Sequence, residues 1–408
     1  MKLNKFNNKS ILILGYGVTG QDVYAAIGNN NTIYIVDDNN YEIESEQKIY
    51  CSKSFIDMEI KLDFIIKSPG IRYDNPVILA YNKTPIINDV EVAYEVIKQR
   101  SIKTIAITGT NGKTSTTTFI TSLLNNAGYN AFSCGNIGIS PLRILKENEC
   151  IDFLVLELSS FQLKAITSFT PDFAVFMNFT PDHLDYHESL EDYYHSKLNI
   201  FYNNNQDMKI YLGNNIEYVS AFDNIRYPKT DLSEKIRSSI HGIYYENIEL
   251  IYPLAMDLGI TDEQIIDTLK NKFPVLPHRM EYIATVNGVV YINDSKATNV
   301  VATSVALKQY KNIILITGGY DKKEDIKTLG NYLSNVKKLI CYGENKSQFI
   351  GLLEETIVVN TLNEALVVAN DNAIEGDTIL LSPASASYDM FKNYEERGNL
   401  FRKLVETL

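Results

Sequence analysis

Apolar and polar positions follow one another in blocks along this chain. Short runs rich in Ile, Val, Leu and Phe each end in Gly, Ser, Asn or Asp, and stretches with helical spacing follow. "SILILGYG", "TIYIVDD", "LDFIIKSPG", "TIAITGTNG", "FLVLELSS" and "FAVFMNFT" obey this rule in the first half, and "VVYINDSK", "NIILITGG", "KLICYG" and "TILLSPAS" obey it in the second. A strand apolar at every position is covered on both faces, so the pattern predicts parallel sheets with ligands at the strand carboxyl ends.

With 408 residues the chain exceeds one ordinary core. The predicted fold class is α/β in three domains: an N-terminal Rossmann-like domain, 1–98, a central P-loop-type ATPase sheet, 99–275, and a C-terminal Rossmann-like domain, 276–408. "LPHR", Leu276 to Arg279, reads as the hinge into the third. Its polar strand ends are Asp294, Lys296, Gly318, Gly319 and Ser382.

Composition narrows the function classes. Hydrophobic residues make up 45% and charged residues 22%, as in a globular protein. No apolar run approaches the roughly 20 residues of a membrane helix. The start, "MKLNKFNNKSILILGYG", leads straight into a Gly fingerprint, so it reads as a buried first strand rather than a signal peptide. Cys51, Cys134, Cys150 and Cys341 are scattered and form no C-x-x-C pair, which argues against disulfide or metal frameworks and suits a reducing cytosol. The net charge of −12 argues against a nucleic-acid partner, while small anionic ligands need only local donors.

Candidate chemistry sits at the strand ends. Gly15, Gly17 and Gly20 form G-x-G-x-x-G, and Asp37 and Asp38 follow the next strand, where an acid suits a ribose or sugar hydroxyl. "TGTNGKTSTT" opens a helix after an apolar strand. Backbone N–H groups from Gly109 to Ser115 would face β- and γ-phosphates, Lys113 would add charge and the Thr114 hydroxyl would hold Mg²⁺. The loop is tight, with only Thr110 and Asn111 between Gly109 and Gly112. Glu157, ending a neighbouring strand, is placed to ligate the same ion. "PDHLDYH" supplies Asp182, His183, Asp185 and His187, which by themselves read as a solvated acidic loop and gain interest because they follow the apolar strand "FAVFMNF". Ser385 and Ser387 stand at a helix start where a carboxylate can bind, and Lys322 can pair with a second one. Lys197 alone reads as a solvated helical charge. An oxidoreductase using the Gly fingerprint is an alternative, though it has no need of a Gly-Lys-Thr loop. A binding protein that kept the fold without turnover also remains open.

In order along the chain stand "GYGVTG", "SPGI", "ITGTNGKT", "GNIG", "ELSSFQL", "DHLDYH", "LPHR", "NDSKATN", "GGYDK" and "LSPASASYDMFKNYEERG". This set resembles the Mur ligase family over nearly the whole chain. "ELSSFQL" and "SPASASYDMFKN" point to the branch that adds D-glutamate. A folylpolyglutamate-type ligase shares the central chemistry but lacks the N-terminal fingerprint.

The resemblance implies the roles. Val18, Thr19, Asp37, Asp38, Ser68, Gly70, Asn136 and Ser159 would contact UDP-N-acetylmuramoyl-L-alanine. Gly109, Thr110, Asn111, Gly112, Lys113, Thr114, Ser115, Asn247, Arg279 and Asp294 would contact ATP. Thr114, Glu157, His183 and Lys197 would hold Mg²⁺, two ions in all, with Lys197 carbamylated by CO₂. The catalytic set is Lys113, Glu157, His183 and Lys197. Lys296, Thr298, Lys322, Ser387 and Tyr394 would receive D-glutamate. A cytoplasmic monomer acting only on small molecules is expected. The family's H-N-x-x-N run is altered: Ile243 and Tyr244 depart from it, His241 lies nearby, and Asn247 alone keeps its type.

Overall fold

The computed structural model describes residues 3–38, 49–184, 186–203, 207–216, 224–240, 245–274, 276–322 and 325–408. It divides into two compact units, Met1–Phe273 and Pro274–Leu408. Asp185, His241, Ile243 and Tyr244 lie outside the described residues.

The first unit holds two parallel sheets. One has five strands in the spatial order Ile49–Tyr50, Thr32–Val36, Ser10–Leu14, Phe64–Lys67, Ile86–Ile87. Along Ser10–Leu14, Ile11 and Ile13 enter one apolar cluster while Leu12 and Leu14 enter another. Successive side chains point to opposite faces and both faces are covered, which is why the run does not alternate. The second sheet has six strands, Ile225–Arg226, Lys209–Leu212, Phe173–Phe176, Lys103–Thr108, Phe153–Glu157, Ala131–Gly135. Ala106 and Ile105 again divide between clusters.

Both sheets contribute to one apolar cluster, which runs from Leu3 to Ile216. A buried carboxylate adds a polar joint. Glu91, on the helix Asp89–Gln99, accepts the N–H groups of Thr167, Ser168 and Phe169 at 2.8, 2.7 and 2.8 Å and the Ser168 hydroxyl at 2.5 Å.

The second unit is a six-stranded sheet in the order Glu281–Val286, Val289–Asn293, Thr378–Leu381, Ile313–Gly318, Val336–Tyr342, Thr356–Val358. It is parallel except for its first strand, an antiparallel edge joined by a hairpin at Asn287 and Gly288. Both turn residues have positive φ, 50° and 76°, as the two-residue hairpin turn requires, and Asn-Gly is its usual sequence.

Candidate active site

At the carboxyl end of the five-stranded sheet lies a cavity of about 390 Å³, lined among others by Val18, Thr19, Asp37, Asp38, Ser68 and Gly70. These are the six expected UDP-sugar contacts from the N-terminal part. The Gly turn shapes the cavity. Gly15 has φ +89°, and a Cβ on Gly20 would lie 2.1 Å from the Gly15 carbonyl oxygen, so only glycine lets helix and strand approach here. The Asp37 carboxylate accepts the Tyr16 N–H at 2.7 Å, and Asp38 accepts the Ser52 N–H and hydroxyl at 2.8 and 2.7 Å. Those bonds hold the Asp38 carboxyl below its usual pKa, with the backbone bond the largest cause.

The phosphate loop joins the strand Lys103–Thr108 to the helix Lys113–Asn126. Gly112 has φ +81°, and a Cβ there would meet Asn247 Nδ2 and Met177 Cε at 2.9 Å each. The tight loop is braced by Asn178. The Thr110 N–H donates to the Asn178 carbonyl at 3.0 Å and the Asn111 N–H to its Oδ1 at 2.9 Å, while Asn178 Nδ2 returns a bond to the Asn111 carbonyl at 3.1 Å. Two of the expected phosphate donors are therefore directed inward. The rest of the expected donor set lies at the first turn of the helix, where N–H groups converge. Asn178 was missed by sequence reading, although a polar residue at the end of an apolar strand is the signal that would have found it.

Lys113 and Lys197 converge on the same loop. Lys113 Nζ donates to the carbonyls of Gly109 and Thr110 at 2.9 and 2.8 Å, and Lys197 Nζ donates to Gly109 at 2.8 Å. Lys197, on the helix Leu190–Leu198, is buried, with its Nζ 4.6 Å from the Tyr193 ring centroid. Burial first, and the Lys113 charge second, hold its pKa well below the usual lysine range.

Glu157 ends the strand Phe153–Glu157 and is buried. Its Oε1 accepts from Asn136 Nδ2 at 2.8 Å, so the expected sugar contact and the expected metal ligand are neighbours. Its Oε2 is buried with no hydrogen-bond partner. An orphaned buried carboxylate oxygen is costly unless something cationic completes it. A Mg²⁺ ion fits such a site, because it takes few protein ligands and fills the rest with phosphate and water. Among the described residues no group of three or more His, Cys, Asp and Glu side chains could hold a metal by themselves.

His183 has φ 55°, a left-handed conformation uncommon for histidine and frequent at functional sites. Its ring centroid lies 5.0 Å from that of Phe161 and 5.8 Å from that of Tyr193. Ser159 caps the short helix Ser160–Leu163 in a reciprocal pair with Gln162. Next to it, the Ser160 hydroxyl lies 2.9 Å from His187 Nε2, and His187 Nδ1 lies 3.0 Å from Asp192 Oδ2. Lys164 completes the row, with Nζ 2.7 Å from Asp192 Oδ1. Ser160 is itself buried, so this row braces the "ELSS" turn against the helix bearing Lys197.

In the second unit Asp294 follows the strand Val289–Asn293 and is buried, accepting from the Ser382 hydroxyl at 2.8 Å and the Met280 N–H at 3.1 Å. Burial pushes its pKa up to about 7 against those bonds. Arg279 stands in the turn that follows Leu276. Lys296 Nζ lies 4.9 Å from the Tyr394 ring centroid. Thr298 and Lys322 line one cleft with Asn345, Ala384 and Ser385, whereas Ser387 is buried and does not line it. Arg397, which sequence reading passed over, is fully buried and donates to the carbonyls of Ser295, Ser385 and Ala386 at 2.7, 3.0 and 3.1 Å. It ties the loop that carries Lys296 and Thr298 to the loop that carries Ser387, three of the five expected D-glutamate contacts.

A phosphate loop at the head of a parallel sheet, beside a second sheet with a Gly-turn cavity, defines a nucleotide-using α/β enzyme. The chain belongs to the Mur ligase family. The profile of the Mur ligase middle domain matches residues 107–246, and that of the Mur ligase glutamate ligase domain matches residues 278–385. Similar proteins include UDP-N-acetylmuramoylalanine--D-glutamate ligases from Natranaerobius thermophilus, 33% identical over 97% of this chain and 98% of that one, and from Fusobacterium nucleatum, 34% identical over 97% and 99%. Among solved structures, MurF from Acinetobacter baumannii shares the fold with a TM-score of 0.63 at 14% identity, covering 100% of this chain and 92% of that one.

Proposed function

We propose that this chain is an ATP-dependent amide ligase that adds D-glutamate to UDP-N-acetylmuramoyl-L-alanine in cytoplasmic peptidoglycan precursor synthesis. The observation that carries the reading is the convergence of Lys113 and Lys197 on the Gly109 carbonyl of the phosphate loop, within a chain like the D-glutamate ligases from end to end. The three sequence segments divide the substrates: 1–98 takes the uridine diphosphate, 99–275 the triphosphate, and 276–408 the amino acid.

A carboxylate is a poor electrophile, so the alanine carboxylate oxygen first attacks the γ-phosphorus of ATP and ADP leaves. The amine of D-glutamate then attacks the acyl phosphate carbon. Phosphate departs with the bonding pair, and the amine proton passes to solvent. Two anions must approach in the first step, and Lys113 is the chain's own cation for that charge. Thr114, Glu157, His183 and a carbamylated Lys197 are the residues that would hold magnesium, which would neutralise phosphate charge. Lys197 fits carbamylation: its depressed pKa favours the neutral amine, which adds to CO₂ to give a carbamate and release a proton. Asn136 fixes Glu157 from one side. Asp294 and Arg279 are assigned to the nucleotide, and Lys296, Thr298, Lys322, Ser387 and Tyr394 to D-glutamate.

The test is phosphate release with ATP and Mg²⁺, adding the UDP-sugar and D-glutamate singly and together. Release only with both, and a product heavier by one glutamate residue, is expected. Binding of the UDP-sugar with no phosphate release under any combination would leave a binding protein on a ligase fold.

A further inference from the structure

The wall of the N-terminal cavity is built around a buried lysine. Lys67 ends the strand Phe64–Lys67 and is 1% exposed. Its Nζ lies 3.2, 3.2 and 2.6 Å from the carbonyl oxygens of Ser68, Pro69 and Ile71 and 3.2 Å from the Tyr186 hydroxyl, four acceptors that share its three N–H groups. It also lies 5.2 Å from the Tyr73 ring centroid and 5.8 Å from that of Tyr186. No carboxylate is among these partners. Burial, reinforced by the Lys164 charge, lowers its pKa to about 7. A buried ammonium without a counter-ion is expensive. What it secures is the shape of one turn, whose carbonyls circle the cation while Ser68, Gly70 and Ile71 face the cavity. The Ser68 hydroxyl then donates to the Gly15 carbonyl at 3.1 Å, tying the turn to the Gly fingerprint.

Tyr186, in the segment between the strand Phe173–Phe176 and the helix Leu190–Leu198, completes the brace. Its hydroxyl donates to the Ile71 carbonyl at 3.0 Å, the same oxygen that Lys67 holds. Its ring packs on Phe161 with centroids 4.0 Å apart, and its N–H donates to the His183 carbonyl at 3.1 Å.

We propose that Lys67 and Tyr186 are positioning residues that hold the Ser68–Ile71 wall in the shape that binds the uridine diphosphate end of the substrate. The role rests on the functional reading above. Neither side chain need touch the ligand, since both act through backbone carbonyls of the wall.

The experiment is calorimetric titration of UDP into the wild-type chain, Lys67→Met, Tyr186→Phe and the double variant, with KM values for each substrate alongside. The UDP dissociation constant is expected to rise on the order of tenfold in Lys67→Met, the loss of charge-assisted bonds, and a few-fold in Tyr186→Phe. The double variant should weaken UDP binding further than Lys67→Met, by a factor that differs from the product of the two single losses, because both groups hold the Ile71 carbonyl. KM for the UDP-sugar should follow, while KM for ATP stays within about twofold, a split that general loosening would not produce. Should Lys67→Met fail to fold, Tyr186→Phe carries the test with its few-fold weakening. Wild-type UDP affinity in Tyr186→Phe, or equal losses for UDP and ATP, would overturn the proposal. A wild-type chain that does not bind UDP at all would overturn the functional reading with it.

Discussion

Lys197 meets the phosphate loop from a fully enclosed position, and burial, with the Lys113 charge, lowers its pKa well below the usual lysine range and so favours the neutral amine. Replacing it by Ala is expected to cut turnover by roughly a hundredfold or more, the scale of a lost electrostatic stabiliser at a reacting centre. Added bicarbonate should not restore the variant. Carbon NMR after equilibration with labelled bicarbonate should show a carbamate signal in the wild type only. Asp294 carries a second residue-scale expectation. Its folded pKa of about 7 lies above the ordinary carboxylate value, so the native state holds its proton more tightly than the unfolded chain does. For an acid shifted upward, stability is then lost as pH rises from about 4 to about 7, by on the order of 4 kcal/mol at most. Asp294→Asn removes that slope, so denaturant midpoints of variant and wild type should separate in favour of the variant between pH 5 and pH 8.

At the scale of elements, the glycines mark where a strand hands over to a helix. Gly112 combines positive φ with contact against Asn247 and Met177, so an added Cβ is both strained and crowded. Gly112→Ala is expected to cost ~1–3 kcal/mol and to weaken ATP binding, leaving UDP affinity near wild type. Gly20→Ala should do the converse, since its Cβ would strike the Gly15 carbonyl in the other sheet. Titrating each nucleotide against each variant checks the pair, and loss of both nucleotides in either variant would contradict the separation. The long apolar strands and these turns were legible in the sequence because strand burial and glycine placement are local signals, whereas short edge strands such as Ile86–Ile87 and Ile225–Arg226 carry too few residues for such a signal. The antiparallel edge Glu281–Val286 was not read from the sequence: its one local signal, Asn287-Gly288, is outweighed by the alternation of strands and helices, which predicts parallel pairing.

At the scale of the molecule, two buried charges join segments that the sequence keeps apart. Glu91 accepts four hydrogen bonds from residues 167–169, linking the helix before the central sheet to the loop before Phe173–Phe176. Glu91→Ala leaves those N–H groups without their acceptor and is expected to destabilise the first unit by roughly 3 kcal/mol in urea titration. Arg397 plays the corresponding part in the second unit, through Ser295, Ser385 and Ala386. Arg397→Met should raise KM for D-glutamate and leave UDP affinity unchanged, as measured by steady-state kinetics and titration.

The sequence by itself determined most of the inner strands, the Gly fingerprint, the Gly-Lys-Thr loop and the acid at the end of Phe153–Glu157, because each is written in neighbouring residues, while edge strands such as Ile49–Tyr50 and Thr356–Val358 were not read. Ordered motifs over the whole chain determined the family as well. Lys197 could be selected only by resemblance, since a lysine on a short polar helix looks solvated. Only the tertiary structure placed it 2.8 Å from Gly109, 88 positions away, and set Lys67 against Tyr186, 119 positions away. It also decided that Asn178 takes two loop N–H groups, that Glu157 keeps one oxygen unpartnered, and that Ser160, His187 and Asp192 form a brace. The physical reason is common to all of these. Burial and electrostatic pairing depend on which distant segments pack together, and packing is a property of the folded chain rather than of any window along it.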